Sequence, residues 1–173
     1  MLPRKESAIK VLVTVASKYG ATGEIASALA DVLSERGLEV DVVPIEELAS
    51  VEGYDAVVAG SAVYAGHWLK PAREFVEQNA AELAARPVWL FSSGPIGDPP
   101  KPSEDPVDAS SLLERTAARD HHVFAGKLDR SRLNFGERAI AMALRAPDGD
   151  FRDWDEIRTW ASAIADALGE PDA

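Results

Sequence analysis

Short valine-rich apolar runs alternate along this chain with longer stretches whose apolar residues return every three or four positions. The first run, Ala8–Val15, reads AIKVLVTV, the composition of a strand buried on both faces of a parallel sheet. It gives way to a loop over Ala16–Ala21 and, from Thr22, to a helical stripe of Ile25, Ala28, Leu29, Val32 and Leu33. Gly37 then supplies the left-handed stop that ends such a helix. Leu38–Val43 predicts a second strand closed by Pro44. Tyr54–Ser61 predicts a third, followed by a loop over Ala62–Lys70 and a helix starting at Pro71, a favoured first-turn residue. Pro87–Ser92 predicts strand four, Ala109–Arg119 a helix and His122–Ala125 a short strand five. Helices near Phe135–Arg145 and Trp154–Leu168 complete the pattern, the last with Ile157, Trp160, Ala161, Ile164 and Leu168 on one stripe.

Strands alternating in this way with helices imply an α/β domain, a parallel sheet covered on both faces and joined by right-handed crossovers. The compatible strand orders are 2-1-3-4-5 and a Rossmann variant, and in either a ligand belongs at the carboxyl ends of the strands. One domain over 8–169, with tails at 1–7 and 170–173, accommodates the elements. Gly94–Pro106 is proline-rich, and loops of that length in compact domains are often functional. It reads either as a lid over the ligand or as an ordered crossover.

Composition narrows the chemistry. At 173 residues and 46% hydrophobic, the chain can bury a core without a metal or disulfide staple. It holds no cysteine, which removes disulfides, thiolate metal sites, iron–sulfur ligation and a cysteine nucleophile. A net charge of -11 opposes general binding to nucleic acid or anionic lipid. The opening MLPRKESAIK lacks an apolar signal core and no run has the length of a membrane span, so a soluble, cytoplasmic protein is expected. His121 and His122 are expected at the surface, Trp68 in packing and His67 as a solvated or capping residue; no spacing among the histidines predicts a metal site.

Candidate binding chemistry begins in the first loop, Ser17-Lys18-Tyr19-Gly20-Ala21-Thr22-Gly23. A loop feeding a helix amino terminus presents backbone N–H groups and the positive end of the helix dipole, and Ser17 and Thr22 add hydroxyls. Such donors suit a phosphate monoester. The G-x-G-x-x-G dinucleotide fingerprint is missing, as is the Gly-Lys-Ser/Thr of a P-loop. A plain helix start, with Thr22 as its cap and Gly20 as a turn residue, uses the same residues.

These residues resemble the phosphate loop of flavodoxins. A second segment, Gly60-Ser61-Ala62-Val63-Tyr64-Ala65-Gly66-His67, ends strand three where a flavodoxin holds its isoalloxazine ring. With Lys70, Phe75 and Val76 it resembles the menaquinone-dependent protoporphyrinogen-oxidase branch of that family. Val123–Leu128 and Asp153-Trp154-Asp155 extend the similarity, which runs from about Ile9 to Leu168. The resemblance implies a flavodoxin-like three-layer sandwich, a five-stranded parallel sheet of order 2-1-3-4-5, and FMN as cofactor. It implies that Ser17, Lys18, Tyr19, Gly20, Ala21 and Thr22 surround the FMN phosphate. It further implies that Ser61, Ala62, Val63, Tyr64, Ala65 and Gly66 wrap the flavin, and that Ser92, Ser93 and Gly94 form its third loop. Tyr64 either stacks on the ring or covers a neighbouring helix. No side chain is nominated as catalytic.

Three functions follow from this resemblance. The first is an FMN-dependent oxidoreductase passing electrons to an organic acceptor such as a quinone or porphyrinogen. The others are an electron shuttle docking on redox proteins through its acidic surface, and a cofactor-free regulatory or assembly domain. The third loop, Ser92–Asp98, carries a single acid, so it opposes an anionic reduced flavin less than a carboxylate-rich loop does, which suits two-electron enzyme chemistry. The segment 127–145 holds Lys127, Arg130, Arg132, Arg138 and Arg145 against Asp129 and Glu137. It stands where the related enzymes carry a basic, apolar insertion that meets membrane and quinone. Its alanine-rich pattern, with Ile140, Ala143, Leu144 and Phe135 toward one face, favours a core-facing helix over membrane contact.

Overall fold

A computed structural model describes residues 9–17, 20–64, 67–94, 109–128, 149–150 and 152–169. Strand β1 (Lys10–Ala16) leads to helix α1 (Ala21–Glu35), then β2 (Glu39–Pro44) and a 3-10 turn (Ile45–Glu47). Next come β3 (Ala56–Tyr64), the two-residue β4 (His67–Trp68), α2 (Lys70–Ala84) and β5 (Val88–Ser93). The remainder comprises α3 (Ala109–Thr116), β6 (Asp120–Phe124), the short ribbon of β7 (Lys127–Leu128) and β8 (Gly149–Asp150), and the last helix α4 (Trp154–Gly169). The helix expected at 135–145, and with it most of the basic segment, lies outside the described residues, as do residues 95–106 of the proline-rich stretch.

The main sheet runs β2-β1-β3-β5-β6 with every neighbouring pair parallel. With β4 set aside this is the expected 2-1-3-4-5 order. Alternation along the strands sends side chains to two cores. Val11, Val13 and Val15 of β1 join Val58, Phe91 and Phe124 under α1 and α4. Leu12 and Ala16 join Val57, Ala59 and Leu90 under α2 and α3. Three layers result. At Gly60 a Cβ would fall 2.2 Å from the Phe91 ring, so only glycine lets that ring lie across β3. α1 ends as its sequence predicts: Gly37 has φ +88, Gly37 N–H donates to Ser34 O and Leu38 N–H to Leu33 O, which closes the last turn.

Strand three departs from expectation. It continues through Tyr64 and then folds back, with Val63 opposite Trp68 and Tyr64 opposite His67, so Ala62–Tyr64 and His67–Trp68 form a hairpin instead of an open loop. Burial of Trp68 against the α2 side holds this hairpin, a long-range cause that no local periodicity records. α3 stops at Thr116, followed by Ala117 at φ +50, and β6 begins at Asp120, ahead of the expected start at His122.

Candidate functional site

The connection after β1 leads to α1 on one face of the sheet and the connection after β3 to α2 on the other, so the carboxyl ends of these two adjacent strands form the switch point of the sheet, where ligands of such folds bind. The first wall is the β1–α1 loop. Gly20 takes φ +87 at the α1 entrance, and its N–H donates to Ser17 Oγ at 3.0 Å. The first intrahelical bond runs from Glu24 N–H to Gly20 O at 3.0 Å, so the N–H groups of Ala21, Thr22 and Gly23 have no acceptor within the helix. Because the Ser17 turn starts the helix at Ala21, Thr22 is a buried first-turn residue and Gly20, not Thr22, is the cap. Lys18 and Tyr19 lie outside the described residues.

The second wall is the ends of β3 and β5. Ser61 is in register with Ala16 on one side and Ser92 on the other, and Ala62 with Ser93. The Ser61 hydroxyl is turned inward: Oγ donates to Ala62 O at 2.7 Å and accepts Leu69 N–H at 3.0 Å, fixing the approach to α2. Ser92 is fully buried as well, accepting Trp68 Nε1–H at 2.7 Å and meeting His121 Nε2 at 2.7 Å. Both hydroxyls are therefore committed within the fold, and only their backbone can face a ligand. Gly94 donates its N–H to Phe124 O, and a Cβ on it would approach Val63 Cβ to 3.1 Å. A Cβ on Gly126 would in turn approach the Gly94 backbone to 3.2 Å, so this edge is close-packed main chain. Ala65, Gly66 and the stacking role of the Tyr64 ring lie outside the described part of the chain.

The histidines differ from expectation. His121 and His122 are half-buried. His121 meets the buried Ser92 hydroxyl, and the neighbouring His122 bonds Glu156 Oε1 through Nε2 at 2.7 Å and packs on Phe124 and Trp160. Sequence position alone hid these partners, which arrive from β5 and α4. His67 is exposed on β4 and Trp68 is packed, as expected. Among the described residues no cluster of His, Asp or Glu could hold a metal ion, and no helix is long and apolar enough to cross a membrane.

Sequence reasoning missed Arg152. Its side chain is 3% exposed and reaches the first turn of α1. Nε and Nη2 donate to the two carboxylate oxygens of Asp150 at 2.8 and 2.7 Å, and Nη1 donates to Ala21 O at 3.2 Å. Nη1 also lies 3.4 Å from Glu24 Oε2, and the guanidinium covers the Trp154 ring at 4.6 Å. The hydrogen bonds from Arg152 hold the Asp150 carboxyl below its ordinary value against the opposing effect of burial; the same pairing raises Arg152. A separation of 131 residues from Ala21 left no sequence signal for this contact.

Residues 12–155 match the Flavodoxin domain family. Over 94% of this chain and 98% of the relative, the sequence is 27% identical to a protoporphyrinogen IX dehydrogenase [quinone] of Escherichia coli K12. Among solved structures, a flavodoxin from the domain Archaea superposes with a TM-score of 0.66 at 15% identity, covering 93% of this chain and 99% of that one. A Streptococcus pneumoniae TIGR4 flavodoxin gives 0.60 at 18% identity, covering 91% and 99%. With its strand order and a family match that spans most of its length, the chain belongs to the flavodoxin domain family.

Proposed function

We propose that this protein binds FMN at the carboxyl ends of its strands and works as an oxidoreductase on an organic acceptor of the quinone or porphyrinogen class. The observation that carries the reading is the α1 entrance. Three consecutive N–H groups at Ala21–Gly23, the Ser17 hydroxyl hydrogen and the helix dipole form a mostly neutral donor set suited to a phosphate monoester. In this reading Ser17, Lys18, Tyr19, Gly20, Ala21 and Thr22 hold the phosphate. The backbone of Ser61–Gly66 and of Ser92, Ser93 and Gly94 lines the flavin, with Tyr64 stacked against it. FMN, when bound, supplies the electron transfer, while the protein orients it and shields it from water. The inward hydroxyls of Ser61 and Ser92 keep the two flavin-lining turns in fixed register.

The relative that carries the name of a quinone-coupled protoporphyrinogen dehydrogenase matches this chain nearly end to end, which favours an enzyme over a shuttle. The test is flavin content followed by steady-state turnover. Purified protein should release FMN on denaturation and oxidise protoporphyrinogen with a menaquinone analogue as acceptor. A protein that holds FMN and is rapidly reduced by a reductase, yet turns over neither compound, is a shuttle with its acidic surface as the docking face.

A further inference from the structure

The buried guanidinium at the α1 entrance has no part in the neutral donor set just described, and it is an expensive group to place there. A charge removed from water is tolerated only when paired and hydrogen-bonded. Arg152 meets that condition through the two-toothed pair with Asp150, the bond to Ala21 O and the contact with Glu24. Asp150 is itself held by the β7–β8 ribbon, Lys127 opposite Asp150 and Leu128 opposite Gly149. The β7–β8 ribbon is thereby joined to the first turn of α1.

Glu24 matters most for a phosphate ligand. It lies in the first turn of α1, where a carboxylate is drawn to the same dipole and the same N–H groups that an anion needs. Without a counter-charge, Glu24 and Asp150 would place two negative charges beside a dianionic phosphate. Arg152 supplies that counter-charge to both, 3.4 Å from Glu24 Oε2 and 2.7 Å from Asp150 Oδ2.

We propose that Arg152 is a positioning residue for the FMN phosphate, fastening the first turn of α1 and holding the Glu24 carboxylate away from the anion. The proposal rests on FMN binding at this turn. It also predicts that the benefit is confined to the phosphate, because the flavin-lining turns of β3 and β5 have no contact with Arg152 among the described residues.

Calorimetric titration of the full-length apo-protein with FMN and with riboflavin separates this role from a structural one. Arg152→Met should weaken FMN on the order of tenfold, equivalent to about 1.4 kcal/mol, and leave riboflavin affinity within about twofold. Arg152→Lys should fall between, since it keeps the charge and loses the fork. Adding Glu24→Gln to Arg152→Met should recover most of the lost FMN affinity. If Arg152→Met does not fold, Arg152→Lys with and without Glu24→Gln decides: the double variant should recover the FMN affinity lost in Arg152→Lys and leave riboflavin unchanged. Equal weakening of both flavins, or no rescue by Glu24→Gln, overturns the proposal. Wild-type protein that binds neither flavin overturns the FMN reading and the role of Arg152 with it, whereas wild-type binding with an unaltered FMN-to-riboflavin ratio in the variants overturns Arg152 alone.

Discussion

Alternation along β1 sends Val11, Val13 and Val15 to the core under α1 and Leu12, Thr14 and Ala16 to the face toward α2. The valines of β1 and the stripe of α1 announce their burial through spacing, and they occupy the core as expected. Ser61 and Ser92 stand in segments read as flavin loops, yet their hydroxyls are satisfied inside the fold by Leu69, Trp68 and His121. A serine at a strand end gives no sequence sign of which way its hydroxyl turns. Thr14 is the opposite case, a fully buried hydroxyl on the β1 face toward α2 whose Oγ1 has no partner among the described residues. An unsatisfied buried hydroxyl costs about 1–3 kcal/mol, so Thr14→Val should raise the unfolding free energy by about 1 kcal/mol in urea titration. Gly60→Ala should do the reverse. Its Cβ must displace the Phe91 ring, and overpacking of this kind costs about 1–3 kcal/mol or more, visible as a lowered melting temperature. Tyr54 donates its hydroxyl to Asp41 at 2.8 Å, and burial followed by that carboxylate pushes its pKa up to about 12. Its stabilising contribution is therefore complete below about pH 10, the unfolded value, and lost as pH rises through about 12. Spectrophotometric titration should show a late tyrosinate step near pH 12 that Tyr54→Phe removes.

Elements were read well where their own periodicity decides them and poorly where a distant partner does. Four of the helices and the five long strands follow from spacing, and α1 closes at Gly37 where the sequence places its stop. The β4 hairpin is set by the burial of Trp68, and the start of α1 by the Ser17–Gly20 turn, so both boundaries moved. The β7–β8 ribbon illustrates the same limit, since its partners are separated by the whole 129–148 segment. Its link to α1 gives a pH prediction. Arg152 lowers the Asp150 pKa, so this pairing stabilises the fold above the unfolded value of about 3.9 and the contribution is lost as pH falls through the lower, folded value. Asp150→Asn should cost stability at neutral pH and progressively less as the pH drops below about 4, measured by thermal unfolding across that range.

For the molecule as a whole, the order of the sheet puts the described residues of the proposed ligand site at one pole. Among the described residues, the carboxyl ends of β1, β3 and β5 hold Ser17, Gly20–Thr22, Ser61–Tyr64 and Ser92–Gly94. The opposite pole is occupied by structural ties: Tyr54 to Asp41, and Arg86 to the carbonyls of Val51 and Tyr54. This division was legible in the sequence because alternating strands and helices fix which loops share a pole, even when the loops' own conformations do not follow from their residues. The net charge of -11 adds a long-range field that attracts positively charged molecules, but the pole itself is defined by main chain and glycine. A backbone-amide NMR titration of the apo-protein with FMN reads this division directly. The account predicts large shifts at Gly20–Gly23 and at Ser93 and Gly94, with the amides of Tyr54 and Val88 unmoved; an unchanged spectrum, or shifts gathered around Tyr54 and Val88, would contradict it.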